Sequence, residues 1–424
     1  MVNLTSLKKI EKSQTLLINE QSRFLEKGGV DVIKFGFGQS PFLPPETVIN
    51  QLKESAHLKE YSPVQGIEEL REQVALFHNK IDDLNITKKD VFIAPGSKSL
   101  IYSVLASFDK ADVLIPAPSW VSYVPQSYLA GHHIITVETD YDNRWRITPQ
   151  MLEDAISSKH NINAPTLLIL NYPGNPDGLT YSEAELKSFS QICRKHNILV
   201  ISDEIYALLN HTGSHHSLAK YYPEGTIITS GLSKWCGAGG WRLGTALLPS
   251  NIQQDFKETL LGIASETYSC APTPVQKAAI EAYRYDNTIQ DYVVNQRKIL
   301  NILGNYAANT LSAADIKTYS PQGAFYLLPD FELHREKLAR NHIHTSIDLC
   351  SRILKDTAVA LLPGTAFGMQ PHYLTARLAY VDFNGNDALS EINSLSNSAD
   401  ILNHSGAKVK LGIERIINWV KQLQ

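Results

Sequence analysis

Four short polar segments stand immediately after apolar runs, and each carries a residue type able to bind or react. Val91-Phe92-Ile93-Ala94 leads into Pro95-Gly96-Ser97-Lys98-Ser99. Thr166-Leu167-Leu168-Ile169-Leu170 leads into Asn171-Tyr172-Pro173-Gly174-Asn175-Pro176-Asp177-Gly178. Ile198 to Ile201 precedes Ser202-Asp203-Glu204-Ile205-Tyr206, and Thr226 to Thr229 precedes Ser230-Gly231-Leu232-Ser233-Lys234. The first segment reads as a tight turn opening a helix, a phosphate seat built of backbone N–H groups. Two prolines and two glycines in the second make a rigid turn that fixes Asn175. Asp203 can hold a protonated pyridine nitrogen. Tyr206 and Asn175 can hold a ring hydroxyl, Lys234 can form a Schiff base, and Ser233 with Arg242 can close around a phosphate. Those are the needs of pyridoxal phosphate. Singly, each residue has a plain alternative: Asp203 a helix N-cap, Lys234 a solvated lysine, the 95–99 turn an ordinary loop. Together they project from adjacent strand ends, the edge where open α/β sheets bind ligands.

The elements that must position them follow from the hydrophobic pattern. Between about 90 and 250 short apolar strands alternate with helical or loop chain: 91–94, 112–115, 133–137, 166–170, 198–201 and 226–229. Strands this short and wholly apolar point to a mostly parallel central sheet with helices on both faces. Gly244 to Leu248 follows soon enough to be an antiparallel partner. Helix signals precede this region at Pro45-Glu46-Thr47 and at Gly66 to Arg71, where Ile67, Leu70, Val74 and Phe77 keep helical spacing. The charged segment 1–34 reads as weakly helical, ending in a strand or extended arm at Ile33-Lys34-Phe35. Past about 285 the organisation changes to a smaller α+β unit. It has a helix over 296–311, strands at 323–328 and 376–381, and a closing amphipathic helix over 409–420. The Ser/Asn-rich stretch 390–405 reads as a surface loop or helix pair. The expected division is an arm at 1–45, a large cofactor-binding domain at 46–284 and a small domain at 285–424.

Composition removes several function classes. The chain has 424 residues, with 39 Lys plus Arg against 43 Asp plus Glu and a net charge of −4. That balance leaves no basic excess for a strong nucleic-acid binder. Apolar residues make up 43%, enough for a large core and against global disorder. The four cysteines are scattered and contain no Cys-x-x-Cys, which excludes a disulfide framework and a zinc ribbon. No apolar stretch is long enough to span a bilayer, and the N-terminus lacks a signal-peptide core. A cytoplasmic protein with no membrane or nucleic-acid partner and no metal is expected. His211-Thr212-Gly213-Ser214-His215-His216 has no regular ligand spacing and reads as a solvated loop. Cys236 reads as a packing residue beside the lysine.

An ordered set of motifs resembles the fold-type I pyridoxal-phosphate-dependent aminotransferases of class I/II, especially the bacterial aspartate and aromatic branch. Tyr61-Ser62-Pro63-Val64-Gln65-Gly66 with Leu70-Arg71 is similar to the family's Tyr-x-Pro-x-x-Gly…Leu-Arg. Pro116-Ala117-Pro118-Ser119-Trp120-Val121-Ser122-Tyr123 resembles Pro-x-Pro-x-Trp-x-x-Tyr. Asn171 to Gly178 resembles Asn-x-Pro-x-Asn-Pro-Thr-Gly, and Ser202 to Tyr206 reads Ser-Asp-Glu-Ile-Tyr as in the family. Ser233-Lys234 with Gly240-Trp241-Arg242-Leu243-Gly244 resembles Ser-Lys…Gly-Trp-Arg-x-Gly. The resemblance runs from Phe35 to about Phe383. It implies that Lys234 bonds the cofactor and shuttles the proton. It implies that Asp203 pairs with the pyridine N–H, and that Tyr206 and Asn175 hold the ring hydroxyl. Trp120 would stack on the ring. Gly96, Ser97 and Lys98 (the last mainly through backbone) would cradle the phosphate with Ser233 and Arg242. Tyr61 would reach the phosphate of the neighbouring subunit, making a homodimer with shared sites. Arg377 would clamp the substrate α-carboxylate, assisted by Asn175 and the backbone near Gly38.

The implied activity is transfer of an amino group between an L-amino acid and a 2-oxo acid, in amino acid metabolism and biosynthesis. Two alternatives remain at this stage: a carbon–sulfur β-lyase on the same fold and cofactor, and a non-enzymatic pyridoxal-phosphate-sensing regulator. The sequence also departs from the family at three places. Gly38-Gln39-Ser40-Pro41-Phe42 replaces Gly-Glu-Pro-Asp in the arm near the substrate. Asp177 replaces Thr in the Asn-Pro-Thr-Gly turn. Trp235-Cys236-Gly237-Ala238-Gly239-Gly240 replaces a stretch with Thr before Gly-Trp-Arg. No cation for a second substrate carboxylate is identifiable from sequence, so no aspartate preference follows.

Overall fold

The computed structural model describes every residue except 1–9, 11–13, 160–162 and 393–397. Among the described residues the strands are, in chain order, β1 Ile33–Lys34, β2 Val91–Ala94, β3 Asp112–Ala117, β4 His133–Glu138, β5 Thr166–Asn171 and β6 Leu199–Asp203. They continue as β7 Thr226–Gly231, β8 Gly244–Leu247, β9 Tyr326–Leu327, β10 Val359–Ala360, β11 Leu362–Pro363 and β12 Ala376–Ala379. Seven of them form one sheet in the order β2-β8-β7-β6-β5-β3-β4. Pairs β3–β4, β3–β5, β5–β6 and β6–β7 are parallel, and β8 runs antiparallel between β2 and β7. The mostly parallel sheet and the antiparallel Gly244 strand are as the sequence predicts. Strands buried on both faces can be apolar at every position, which is why Leu167, Leu168, Ile169 and Leu170 follow one another without alternation.

Chain order sets the ligand edge. From β3 the chain moves outward to β4, then returns to place β5 on the other side of β3. The carboxyl ends of β3 and β5 therefore flank a crevice at a topological switch point. The helix Ser97–Ala106 begins directly after β2 and points its N-terminus toward that edge.

The smaller sheet has the order β11-β12-β9, antiparallel throughout. Its strands are shorter than the sequence suggests. Ala324 has a φ of 54°, which interrupts the extended run before Tyr326. The predicted arm is a helix Gln14–Lys27 followed by β1, and β1 pairs in parallel with β10 through Ile33↔Val359 and Lys34↔Ala360. Residues 33 and 34 are thus bound to the last third of the sequence. The backbone N–H of Ala379 also donates to Phe35 O at 2.8 Å. Helices Asn287–Ser312 and Ala407–Gln422 pack around this unit. The 390–405 stretch contains the end of the helix Gly385–Glu391 and the helix Ser398–Asn403, and its central part lies outside the described residues.

Leu168 is fully buried at the middle of the large sheet, level with Leu114 on β3 and Val200 on β6. Leu168→Ala is expected to remove about 3 kcal/mol of unfolding free energy in urea, whereas Leu168→Met costs under about 1.5 kcal/mol.

Candidate active site

A cavity of 520 Å³ opens at the carboxyl edge of the large sheet and takes residues from β5, β6, β9, β12, the turn after β7 and the arm. Small-molecule sites of this kind occupy about 300–1,000 Å³. At one end Ser97, Lys98, Ser233 and Arg242 line it. Gly96, the residue before the helix Ser97–Ala106, has a φ of 90°, and a Cβ there would strike the Arg242 guanidinium. A Cβ at Gly244 would collide with the Gly96–Ser97 backbone. Glycine at both positions lets the helix N-terminus and Arg242 close on one small volume, a cationic seat suited to a phosphate. Arg242 itself holds a left-handed conformation, φ 59° and ψ 59°, a cost borne where a side chain must be aimed.

Asp203 ends β6 and is 3% exposed. Tyr123 donates to its Oδ2 at 2.6 Å, while Thr229 reaches Oδ1 only at 3.4 Å. Burial pushes the carboxyl up to about 6, against the pull of Tyr123, the Ile205 N–H, Thr229 and Lys234. Lys234 is half-buried. Desolvation, then repulsion from Arg377, brings its ammonium down to about 8, with Asp203 opposing. Its Nζ donates to Gly38 O at 2.8 Å. A lysine near 8 is neutral in a substantial fraction at physiological pH and can act as nucleophile and base.

Asn171 holds the two strand ends in register with each other. Its Oδ1 accepts from Asn175 N at 2.8 Å and its Nδ2 donates to Asp203 O at 2.8 Å. Asn175 Oδ1 in turn accepts from Arg377 Nη1 at 3.0 Å, and Gly36 O accepts from Arg377 Nη2 at 2.7 Å. Arg377 is 4% exposed, its Nε has no partner, and the rings of Tyr326 and Phe367 lie 4.8 and 5.1 Å from the guanidinium carbon. No carboxylate pairs with it among the described residues, so a buried guanidinium stands ready for an anionic ligand. Tyr206 places its hydroxyl 2.8 Å from that of Tyr326.

The structure therefore brings Gly38, Ser97, Lys98, Trp120, Asn175, Asp203, Tyr206, Ser233, Lys234, Arg242 and Arg377 to one cavity, with Gly96 behind Arg242. Tyr61 is not among the lining residues. It is 88% exposed at the surface of this chain. Sequence reasoning missed Tyr123, Asn171 and Tyr326. Tyr123 had a signal, three residues past Trp120 in a quoted motif. Asn171 opens the same turn that presents Asn175. Tyr326 had none, because it lies in an apolar run read as a strand.

The histidine stretch is a correction. His211 Nδ1 and Nε2 lie 3.1 Å from Pro321 O and Ala324 O, of which its single N–H bonds one, and His215 Nε2 meets Glu204 Oε2 at 2.9 Å with both side chains buried. The segment is the expected loop, exposed at Thr212, Gly213 and Ser214, but these rings are not solvated. The His211 ring packs on carbonyls from a distant segment and His215 turns back onto the nearby Glu204 carboxylate, contacts that ligand spacing does not encode. The Asp177 departure also has a local cause. Arg146 donates to Asp177 Oδ1 at 2.6 Å, to Asn171 O at 3.0 Å and to Leu179 O, so a buried ion pair braces the turn that presents Asn175. Cys236 is buried, which pushes its thiol up and makes it inert.

These residues fit pyridoxal phosphate on the chemistry of the donors: a glycine-lined cationic seat, a buried carboxylate with a weakly engaged oxygen, and a lysine of depressed basicity. The model for "Aminotransferase class I and II" matches residues 30–384. An aspartate aminotransferase of Geobacillus stearothermophilus is 33% identical over 381 residues, 87% of this chain and 91% of that protein. Aspartate aminotransferase from Thermus thermophilus with maleate shares the fold at a TM-score of 0.82 and 23% identity, over 97% of this chain and 100% of that one. Aromatic aminotransferase from Pyrococcus horikoshii OT3 gives 0.79 and 26%, over 95% and 99%.

The depressed lysine has a consequence for stability. A lysine of lowered folded pKa destabilises the fold fully below about 8 and ceases to do so above 10.5, where folded and unfolded forms are both neutral. In cofactor-free protein, Lys234→Met is expected to raise unfolding free energy at pH 7 by about 1–3 kcal/mol. The gain should shrink steadily as denaturation is repeated from pH 8 to above 10.

Proposed function

The chain belongs to the class I and II aminotransferases, and from that premise we propose the residue roles and the substrate preference of its site. Enzymes of this family use pyridoxal phosphate to move an amino group between an amino acid and a 2-oxo acid. The convergence of a half-buried lysine of lowered pKa, a buried carboxylate and a buried arginine without a carboxylate partner on one cavity carries the assignment of roles.

When bound, the cofactor supplies an aldehyde that takes up an amine and a protonated ring that accepts an electron pair. Asp203 accepts the ring N–H, and that cation favours the ionised carboxylate against the burial that raises it. Tyr123 holds the other carboxylate oxygen and so its orientation. Asn175 and Tyr206 bond the ring hydroxyl oxygen, and Trp120 covers one face. Gly96, Ser97, Ser233 and Arg242 hold the phosphate, with the Lys98 backbone. Arg377 Nη1 and Nη2, now on Asn175 Oδ1 and Gly36 O, bind the substrate carboxylate at both oxygens, with Gly38 beside them. Lys234 Nζ removes the α-proton and returns it to the carbon that will keep the amino nitrogen.

Lys98 supports a substrate preference. Its ammonium stands 4.9 Å over the Trp120 ring, lines the cavity and has no ion-pair partner among the described residues. With Lys234, Arg242 and Arg377 assigned, it is the remaining cation of the cavity wall. It suits the side-chain carboxylate of an acidic amino acid or its 2-oxo acid, as one of the two substrate pairs. The names of the aspartate aminotransferase relatives agree with this. Tyr61, exposed on one chain, reaches the partner's phosphate in a homodimer. The unit 46–284 binds the cofactor, and 285–424 with the arm 1–45 forms the smaller unit, supported by the β1–β10 pairing. Four free cysteines suit a reducing, cytoplasmic setting.

The deciding experiment adds single amino acids, without acceptor, to protein loaded with pyridoxal phosphate. Aspartate or glutamate should convert the cofactor to pyridoxamine phosphate with one equivalent of 2-oxo acid. Lys98→Ala should lower kcat/KM for these acids by about 10–100-fold, and by far less for neutral amino acids. Multiple turnover to pyruvate and ammonia with the cofactor unchanged would assign a β-lyase instead.

A further inference from the structure

Tyr326 is 1% exposed on β9, next to the β12 strand that carries Arg377. Its hydroxyl is 2.8 Å from the Tyr206 hydroxyl and 3.4 Å from Gly38 O. Gly38 has no room for more: a Cβ there would collide with the Tyr326 hydroxyl. The Arg377 guanidinium lies 4.8 Å from the Tyr326 ring. One phenol thus touches the residue assigned to the cofactor's ring oxygen, the residue assigned to the substrate carboxylate, and the arm.

Proton placement follows from counting donors. Each phenol has one O–H and two acceptor positions. Burial raises the pKa of both phenols, so both stay protonated. Of the two acceptors open to Tyr326, Gly38 O is the distant one, at 3.4 Å against 2.8 Å for Tyr206. The shorter contact takes the Tyr326 proton. Tyr206 then has its own proton for a further acceptor, and a phenol that accepts one hydrogen bond donates a stronger one.

We infer that Tyr326 is a positioning residue that donates to Tyr206, fixing the Tyr206 proton toward the cofactor's ring oxygen and strengthening that bond. The inference rests on the reading of Tyr206 given above. Loss of the donor leaves more negative charge on the ring oxygen. The nitrogen joining Lys234 to the cofactor, beside that oxygen, then keeps its proton to higher pH. Both protonation states absorb visible light differently, so the midpoint is measurable without turnover.

The test is a spectrophotometric pH titration of the holoenzyme in Tyr326→Phe, Tyr206→Phe and the double variant. Tyr326→Phe keeps the ring against Arg377 and removes only the hydroxyl. Its midpoint should rise by about 0.4–1 pH unit, the worth of a single hydrogen bond. Tyr206→Phe should raise it further, and the second change should add nothing once Tyr206 is gone. A Tyr326→Phe midpoint equal to wild type beside a shifted Tyr206→Phe overturns the inference, as do additive shifts in the double variant. A Tyr206→Phe midpoint equal to wild type overturns the Tyr206 reading and the inference with it. Should Tyr326→Phe not fold, Gly38→Ala displaces the same hydroxyl and carries the same expected rise.

Discussion

Lys234, Asp203 and Arg377 are ionisable groups held wholly or partly out of water within one cavity, and most of the local architecture answers the cost of keeping them there. Desolvation moves the lysine down to about 8 and the aspartate up to about 6. Each shift is opposed from within the cavity: the Asp203 charge counters that of Lys234, and the Tyr123 hydroxyl counters that of Asp203. Arg377 is held by the Asn175 amide and the Gly36 carbonyl. Those dipoles stabilise its charge without neutralising it, so an anionic ligand gains the full attraction of the guanidinium. An internal carboxylate partner for Arg377 would have made the protein easier to fold and the site harder to use.

The scaffold is built around those contacts. Asn171 ties the ends of β5 and β6, and the Arg146–Asp177 pair holds the turn between β5 and the following helix Glu183–Lys195. The arm brings two carbonyls, Gly36 O and Gly38 O, to two different cations. Short β1 would be marginal alone; its pairing with β10 and the bond from Ala379 to Phe35 give those carbonyls a defined position.

Sequence alone carried the large sheet because its code is local. Buried parallel strands are continuous apolar runs, and the polar groups of interest lie one to five residues past each run. Asp203, Lys234 and Asn175 were legible for that reason, and Arg377 from the family resemblance. What escaped was set by partners beyond each residue's own segment. Tyr326 gains its role from Tyr206, 120 residues earlier. His215 is buried because Glu204 accepts its ring N–H across a folded loop. Lys98 was read for its backbone, and only its placement over Trp120 distinguishes its side chain from that of a surface lysine. Composition and periodicity describe what a segment does to its own neighbours, and these three residues depend on other segments.

The β1–β10 pairing and the Gly36–Arg377 bond join residues separated by more than three-quarters of the chain. During synthesis the large sheet is finished once β8 has emerged, while the arm made first still lacks its strand partner and its arginine. Contacts of such sequence separation close late, after the loop entropy between them has been met. A nascent chain therefore has its phosphate seat and lysine in place well before it can grip a substrate carboxylate. The order of translation separates acquisition of the cofactor end from completion of the substrate end, and the arm remains exposed longest of all the segments that the site requires.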